Sequence, residues 1–234
     1  MKGEAVAEVG TIAVTGGASG LGAAVVRAVG KAGGRTAVLD RVQPPEADDF
    51  VQVDLSDSRA AERAVRQIAD RARGLDGIVT AAGTDRCGTL SDIDGVDWDR
   101  VVAVNLLGTA AVVRGALPYL TQSHGRVVTV ASTLGFSAVS DATAYCASKF
   151  GVVGFTRALA AELAGRVGVT LLVPGGMKTG FFDDREEKYR PPDDSRLNDP
   201  DEVAAAVMFA LSRPVTCELR ELVVTHAQEG SWPP

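Results

Sequence analysis

Short apolar runs alternate with longer Ala-rich stretches along almost the whole chain. The apolar runs, rich in Val, Ile and Leu, have the length of buried strands, and the stretches between them are typical of helices. Strands are predicted at residues 11–15, 35–39, 50–53, 77–80, 126–131, 167–173 and 221–224. Helices are predicted at about residues 21–32, 57–73, 96–117 and 142–164, and a further one begins at Asp199. This alternation favours an α/β fold of the Rossmann type, a doubly wound, seven-stranded parallel sheet with helices on both faces.

Residues 181–199 break the alternation, because they are rich in Asp, Glu, Arg and Pro. Such a segment is either a mobile flap or a solvated surface loop. Phe181 and Phe182 are unusual choices for a surface that meets only water. No internal repeat or linker divides the chain, so we predict one domain over residues 1–234, with a flexible substrate loop at about 181–199.

A glycine-rich turn, TGGASGLG at residues 15–22, follows the first predicted strand and opens the first helix. Glycine lets a backbone turn sharply and approach a pyrophosphate without a Cβ in the way. The positive end of the helix that follows attracts the phosphates. The turn therefore predicts a dinucleotide cradle.

An acidic residue stands where a nucleotide ribose is expected. Asp40 ends the second predicted strand, 20 residues after Gly20. Its carboxylate can accept hydrogen bonds from a ribose diol and would repel a 2′-phosphate, which favours NAD over NADP. Arg41 follows directly and could reach a phosphate if Asp40 turned away, so NADP stays possible.

Tyr145 and Lys149 lie four positions apart on one predicted helix, so their side chains can converge on one face. A tyrosine hydroxyl normally titrates near pH ~10. We expect a nearby lysine ammonium, and the positive ring of an oxidised nicotinamide, to lower the pKa of Tyr145. Ser132 follows the fifth strand, at the sheet edge where open α/β folds place their sites. Asn105 lies inside the preceding predicted helix, where an amide is only a modest helix former and invites another explanation.

Composition excludes several other classes of function. The chain has 24 basic and 30 acidic residues and a net charge of −6, without a basic patch that would bind a nucleic acid. Its three cysteines form no CxxC or Cys/His cluster, so no metal site is expected. No uncharged apolar run reaches the ~20 residues of a membrane span, and we expect a cytoplasmic protein. Neither histidine accompanies a GxSxG motif, which argues against a serine hydrolase.

Taken together, these motifs resemble the short-chain dehydrogenase/reductase family. Residues 15–22 are similar to its TGxxxGxG turn, Tyr145 and Lys149 match its YxxxK, and Ser132 precedes the tyrosine at a similar spacing. Asn105 falls in the helix that bears the family's asparagine. Residues 174–179, PGGMKT, resemble the PGxxxT stretch that meets the nicotinamide end.

The resemblance implies roles for these residues. Tyr145 would be the general acid/base, Lys149 would bind the nicotinamide ribose, Ser132 would orient the reacting oxygen, and Asn105 would hold a water in a proton relay. Asp54 would contact the adenine. The residues assigned to the cofactor on the turn, the acid and the resemblance are Gly16, Ser19, Gly20, Leu21, Gly22, Asp40, Arg41, Asp54, Leu55, Ala81, Ala82, Gly83, Tyr145, Lys149, Pro174, Gly175, Met177 and Thr179.

Two features depart from the family pattern. Thr80 stands where the family has an asparagine after the fourth strand, and the C-terminal stretch lacks the usual VDGG. A homodimer or homotetramer is still expected from the resemblance, although the departure weakens any argument for assembly through the tail. The apolar residues Leu134, Phe136 and Met177, together with Phe181 or Phe182, suggest an apolar substrate pocket.

The predicted function is NAD(H)-dependent hydride transfer between a nicotinamide and a small-molecule secondary alcohol or ketone. Two alternatives remain open: an NADP-preferring carbonyl reductase, and a nucleotide-binding sensor or scaffold with little turnover.

Overall fold

Seven parallel strands form one sheet in the order β3-β2-β1-β4-β5-β6-β7. The computed structural model describes residues 9–214 and 216–234. The strands are β1 (Thr11–Thr15), β2 (Arg35–Asp40), β3 (Asp49–Gln52), β4 (Gly77–Thr80), β5 (Arg126–Val130), β6 (Gly168–Pro174) and β7 (Glu221–Val224). The prediction of a seven-stranded, doubly wound parallel sheet is confirmed, and each predicted strand differs from the observed one by at most one residue at either end.

Six α-helices cover the two faces of the sheet. They are α1 (Gly20–Lys31), α2 (Ser58–Ala72), α3 (Gly95–Val102), α4 (Thr109–Ser123), α5 (Thr143–Glu162) and α6 (Pro200–Leu211). One apolar cluster joins α1 and α6 to one face, through residues such as Val25 and Val207. Another joins α2, α4 and α5 to the opposite face, through residues such as Ile68 and Val112. The five inner strands are therefore buried on both sides, as their almost continuous apolar residues require, whereas the edge strands β3 and β7 are only partly buried.

The helix predicted at residues 96–117 is interrupted by a π-helical stretch, Ala103–Gly108, between α3 and α4. The predicted helical segment is helical throughout Gly95–Ser123, and only the π-helical geometry of its middle part was not predicted. The buried Asn105 lies in this stretch and bonds to the backbone of Thr84, which is a tertiary contact that no local pattern reveals. π-Helical stretches of this kind often occur at functional sites.

By length and composition alone, the helical stretch Gly95–Ser123 could cross a membrane. It belongs to the core, however, because 50% of its most apolar window is buried against the rest of the protein. Core helices commonly pass such a test, so it is weak evidence for a membrane span.

The chain reverses its direction of travel across the sheet between β1 and β4, which lie side by side. In open α/β sheets a cleft forms at the carboxyl ends of the strands beside such a reversal. Thr80 ends β4 at this point and is 2% exposed. Its Oγ1 has no hydrogen-bond partner among the described residues, whereas Oγ1 of Thr15, at the end of β1, accepts a bond from the Ala82 N–H at 3.1 Å. Thr15 therefore braces the loop after β4.

Candidate active site

A cleft of about 1520 Å³ opens at the carboxyl edge of β1, β4, β5 and β6. This volume exceeds the ~300–1,000 Å³ of a typical small-ligand pocket. All the residues assigned to the cofactor line the cleft except Gly22. Ser132, Tyr145 and Lys149 line it as well, whereas Asn105 lies behind its wall.

The glycine turn fits a pyrophosphate. Gly16 has φ +71°, and a Cβ there would stand 2.7 Å from the Cα of Ala82, so a larger residue is excluded. Ser19 stands at the N-cap of α1, but its side chain accepts no hydrogen bond from the helix. The first N–H groups of α1 are therefore not capped by the Ser19 side chain. These N–H groups, together with the helix dipole, can hold an anion.

Gly22 lies in the first turn of α1 and packs against the backbone of the glycine turn. A Cβ on Gly22 would stand 2.1 Å from the carbonyl oxygen of Gly16, so only glycine lets α1 pack this closely on the turn. Gly22 is not among the residues that line the cleft, so its assignment to the cofactor stays a prediction that it acts through the shape of the turn. It shapes the cradle through close helix–turn packing.

Asp40 lies at the cleft, at the end of β2. One carboxylate oxygen accepts a bond from the Ala18 N–H at 3.0 Å, and the other from the Val42 N–H at 3.1 Å. The carboxylate is therefore held beside the glycine turn. Arg41 is exposed and also lines the cleft.

The part of the cleft that contains Asp54 holds a charged pair. The carboxylate of Asp54 accepts bonds from the Arg100 guanidinium at 2.7 Å and from the Ser56 N–H at 2.9 Å. Burial by itself would raise the pKa of Asp54, but these hydrogen bonds outweigh it and lower the pKa to about 2. Leu55 is buried beside it and supplies an apolar wall.

Tyr145 and Lys149 both stand on α5 and converge, as their spacing predicts. The Lys149 Nζ lies 5.6 Å from the centroid of the Tyr145 ring and donates a hydrogen bond to the Val130 carbonyl at 2.9 Å. Ser132 lies just beyond β5, and its hydroxyl accepts a bond from the Leu134 N–H at 3.2 Å. Helix α5 and the end of β5 thus bring the three side chains to one wall of the cleft.

The pKa of Tyr145 lies above the ordinary value of a tyrosine, whereas a lowered pKa was expected from Lys149 and an oxidised nicotinamide. Burial raises the pKa of Tyr145 to about 12, although the neighbouring Ser132 hydroxyl opposes the rise. Burial also lowers the pKa of Lys149 to about 8, against the pull of Asp85. Loss of hydration disfavours the charged form of each group, and it is the largest influence on both pKa values.

Asn105 is 1% exposed, and both ends of its amide are bonded. Its Oδ1 accepts from the Thr84 N–H at 2.8 Å, and its Nδ2 donates to the Thr84 carbonyl at 2.9 Å and to the Ser148 hydroxyl at 3.0 Å. A Cβ on Gly83 would stand 3.6 Å from Asn105 Oδ1 and 3.8 Å from Lys149 Nζ. Asn105 Oδ1 and Lys149 Nζ therefore both lie close to the position of a Cβ on Gly83, and this space stays open because residue 83 is a glycine.

The end of β6 leads into the turn at Pro174, Gly175 and Met177, which lines the cleft opposite α5. Thr179 closes the turn toward the cradle, since a Cβ on Gly20 would stand 3.3 Å from its methyl group. Thr179 Oγ1 accepts a bond from the Phe181 N–H at 3.4 Å. The segment 181–199 continues from here through three short 3₁₀ turns and supplies much of the outer wall of the cleft.

The C-terminal stretch supplies site residues that the sequence did not reveal. Glu229 accepts a bond from the Gly176 N–H at 3.2 Å and stands where a Cβ on Gly175 would be. Ser231 donates to the Thr133 hydroxyl at 2.7 Å, next to Ser132. The only signal in the sequence was the absence of a family-like C-terminal ending, and this absence did not indicate which residues would reach the site.

Asp85 and Arg185 were also missed. They form an ion pair of 2.6 Å at the cleft wall beside Tyr145. Asp85 could have been suspected, because it follows the fourth strand at the edge where the site forms. Nothing in the local sequence distinguishes Arg185 from the other charged residues of its segment.

The fold and the cleft define a nucleotide-binding α/β protein with a Ser–Tyr–Lys wall, and comparison with known proteins identifies the family. The family model described as short chain dehydrogenase matches residues 10–190. The chain belongs to the short-chain dehydrogenase/reductase family, whose members are oxidoreductases that bind a nicotinamide cofactor.

Relatives and solved structures agree with this membership. An uncharacterized oxidoreductase of Staphylococcus aureus (strain MW2) is 30% identical over 223 residues, covering 90% of this chain and 94% of its own. A (2S)-[(R)-hydroxy(phenyl)methyl]succinyl-CoA dehydrogenase subunit of Thauera aromatica is 34% identical over 165 residues, covering 67% and 65%. The ligand-free aldohexose dehydrogenase of Thermoplasma acidophilum superimposes with a TM-score of 0.85 at 23% identity, covering 94% of each chain. The alcohol dehydrogenase of Thermococcus sibiricus, complexed with 5-hydroxy-NADP, gives 0.84 at 22% identity, covering 94% and 98%.

Proposed function

We propose that this oxidoreductase transfers hydride between NAD(H) and a secondary alcohol or ketone, with Tyr145 as the general acid/base. The observation that carries the proposal is that Ser132, Tyr145 and Lys149 line the same cleft as the glycine turn and Asp40. A nicotinamide dinucleotide, when bound, supplies the hydride acceptor or donor. The similarity to a dehydrogenase named for a hydroxy(phenyl)methyl compound supports a secondary carbinol as substrate.

The protein's own groups divide the remaining work. The Ser132 hydroxyl holds the substrate oxygen beside the Tyr145 hydroxyl, which gives or takes its proton. Lys149 is buried and already donates to the Val130 carbonyl, so its position is fixed before a ribose arrives. Asn105 fixes the loop at Thr84 and can share a water with Lys149 near Gly83. Tyr145 needs a positive charge to act as a base, because burial holds its pKa near 12.

A panel of secondary alcohols and ketones tests the proposed reaction. We expect NADH to form from at least one alcohol and to be consumed by the matching ketone, because the proton-transfer and cradle residues share one cleft. NADH absorbance is the measurement. Tight nucleotide binding with no turnover on any member of a broad panel would instead support the sensor or scaffold alternative, which keeps the fold without the reaction.

A preference for NAD is the second part of the proposal. The Asp40 carboxylate stands beside the turn that would hold the pyrophosphate, and a 2′-phosphate there would meet like charge. The complex of the Thermococcus sibiricus enzyme with an NADP analogue favours the NADP-preferring alternative, although at 22% identity. A cytoplasmic location and a homo-oligomeric state also belong to the proposal.

We expect calorimetry to show tighter binding of NAD than of NADP. Asp40→Asn keeps a hydrogen-bond acceptor but removes the charge. The affinity for NADP should therefore rise at least tenfold relative to the affinity for NAD, which is ~1.4 kcal/mol of binding free energy. Arg41→Gln is the matched control, because Arg41 is the cation that could hold a 2′-phosphate. Tighter binding of NADP by the parent protein, lost in Arg41→Gln, would contradict the preference.

A further inference from the structure

An ion pair lies at the wall of the cleft beside the proposed proton donor. Arg185 donates from Nη2 to Asp85 Oδ2 at 2.6 Å and so joins two segments that are 100 residues apart in sequence. The Asp85 side chain is 4% exposed and that of Arg185 is 19% exposed. Exposed pairs contribute little to a structure, but a buried pair constrains both partners, because either charge alone would be left unpaired.

Arg185 also organises the segment that carries it. Its guanidinium carbon lies 5.1 Å from the ring centroid of Phe181 and 4.6 Å from that of Phe182, within the range of cation–π contacts. Its Nη1 donates to the Tyr189 carbonyl at 3.3 Å. One side chain therefore connects both aromatic rings, the following turn and Asp85.

Phe181 extends these contacts to the reacting group. Its ring centroid lies 5.8 Å from that of Tyr145, with the planes tilted by 56°. Asp85, Arg185, Phe181 and Tyr145 thus form an unbroken series of contacts, and all four line the same cleft. Arg185 contacts Phe181 and bonds to Asp85, so the pair links the segment of Phe181 to the loop after β4.

The two charges also act on Tyr145 through space, in opposite directions. Burial is the largest influence on the pKa of Tyr145, and beyond it Asp85 raises this pKa while Arg185 lowers it. With both present, the two influences oppose each other. The other polar or titratable groups that face Tyr145 or the pair are Ser132, Cys146, Lys149 and Cys87.

We propose that the Asp85–Arg185 pair is a latch that holds Phe181 against Tyr145 and balances the charge at the Tyr145 hydroxyl. Asp85 and Arg185 are therefore positioning residues, since they act on the proton transfer through Tyr145 and exchange no proton themselves. The inference rests on the proposed function, in which Tyr145 is the general acid/base.

Two single substitutions test the latch by removing one charge each. With an alcohol that the parent protein oxidises, the pH midpoint of kcat/KM is expected to fall by about one unit in Asp85→Asn and to rise by about one unit in Arg185→Gln. Loss of shape alone would lower the rate without shifting the midpoints in opposite directions. Asp97→Asn is the matched control, because the Asp97–Arg86 pair, at 3.1 Å, also lines the cleft but is exposed.

A second readout requires no turnover. Trypsin cleavage after Lys188 and Arg196, both exposed residues of the same segment, is expected to speed up about tenfold in Asp85→Asn and Arg185→Gln but not in Asp97→Asn. Arg185→Lys keeps the positive charge but loses the forked contacts of the guanidinium. Trypsin should therefore cleave this variant faster than the parent, while the pH midpoint of kcat/KM stays at the parental value. This variant also keeps the test decisive if either neutral variant fails to fold.

Several results would overturn the latch: midpoints that stay at the parental value, midpoints that move in the same direction, or cleavage that stays as slow as in Asp97→Asn. The behaviour of Tyr145→Phe separates this failure from failure of the proposed function. If Tyr145→Phe turns over normally, the proposed function is wrong. If it is inactive while the midpoints stay fixed, only the latch is wrong.

Discussion

Tyr145→Phe is expected to lower kcat by about 10²–10⁴-fold while leaving the affinity for NAD nearly unchanged. The substitution removes only the hydroxyl that would exchange a proton with the substrate oxygen. The ring remains and keeps its contact with Phe181, at a centroid distance of 5.8 Å. Steady-state kinetics on an alcohol from the panel, together with calorimetry of NAD binding, measure the two quantities separately.

The control for this substitution is Tyr119→Phe. The Tyr119 hydroxyl bonds to Asp70 at 2.6 Å, and Tyr119 is not among the residues that line the cleft. Tyr119→Phe removes the same phenolic hydroxyl group as Tyr145→Phe, but at a position that takes no part in proton transfer. Its kcat should therefore stay within about twofold of the parent. Full activity in Tyr145→Phe, or an equal loss in both variants, would eliminate the role given to Tyr145.

Lys149→Met is expected to change both activity and the pH dependence of stability. Without the ammonium group, the ribose and the substrate lose their fixed neighbour, and kcat should fall about 10²-fold or more. The chain should still fold, because a methionine fills a similar volume at this position, which is 4% exposed. Kinetics and denaturant unfolding monitored across pH measure the two effects.

The direction of the stability change follows from the buried amine. The pKa of Lys149 is lowered from 10.5 to about 8 on folding, so the unfolded chain binds more protons between these values. The parent's free energy of unfolding should therefore carry a contribution from Lys149 that is smallest below pH 8 and rises by ~3 kcal/mol up to the unfolded pKa. This rise should be missing in Lys149→Met.

Tyr145 contributes in the opposite sense at higher pH. Its pKa is raised from 10.0 to about 12 on folding, so the neutral form favours the folded state and this contribution is lost as pH rises above 10. Comparing the parent with Lys149→Met and with Tyr145→Phe separates the two windows. A pH dependence in Lys149→Met that matches the parent between pH 8 and 10 would contradict the burial assigned to the amine.

Local sequence patterns predict most of this fold, because the apolar residues that mark a strand lie within the strand itself. The run from Glu221 to Val224 lies near the end of the chain, and its predicted bounds agree with the observed β7. Asp199 and Pro200 likewise mark the start of α6, where the Asp199 side chain accepts from the Asp201 N–H. Such features depend on neighbours in sequence and can be read from the residues alone.

What the sequence does not reveal depends on contacts between distant segments. The π-helical stretch at Asn105 depends on the Thr84 backbone, and the wall at Gly175 depends on Glu229. The same holds for electrostatics. The spacing of Tyr145 and Lys149 predicts their convergence, but the direction in which the pKa of Tyr145 moves is decided by how completely the folded chain excludes water from both groups.

The most direct test of the central claim follows the hydride itself. A secondary alcohol that the panel identifies as a substrate, labelled with deuterium on its carbinol carbon, is incubated with NAD and the parent protein or Tyr145→Phe. We expect deuterium to appear at C4 of the reduced nicotinamide with the parent, and at a rate lower by about 10²–10⁴-fold with Tyr145→Phe. Equal label transfer by both proteins, or NADH that carries no label, would contradict it.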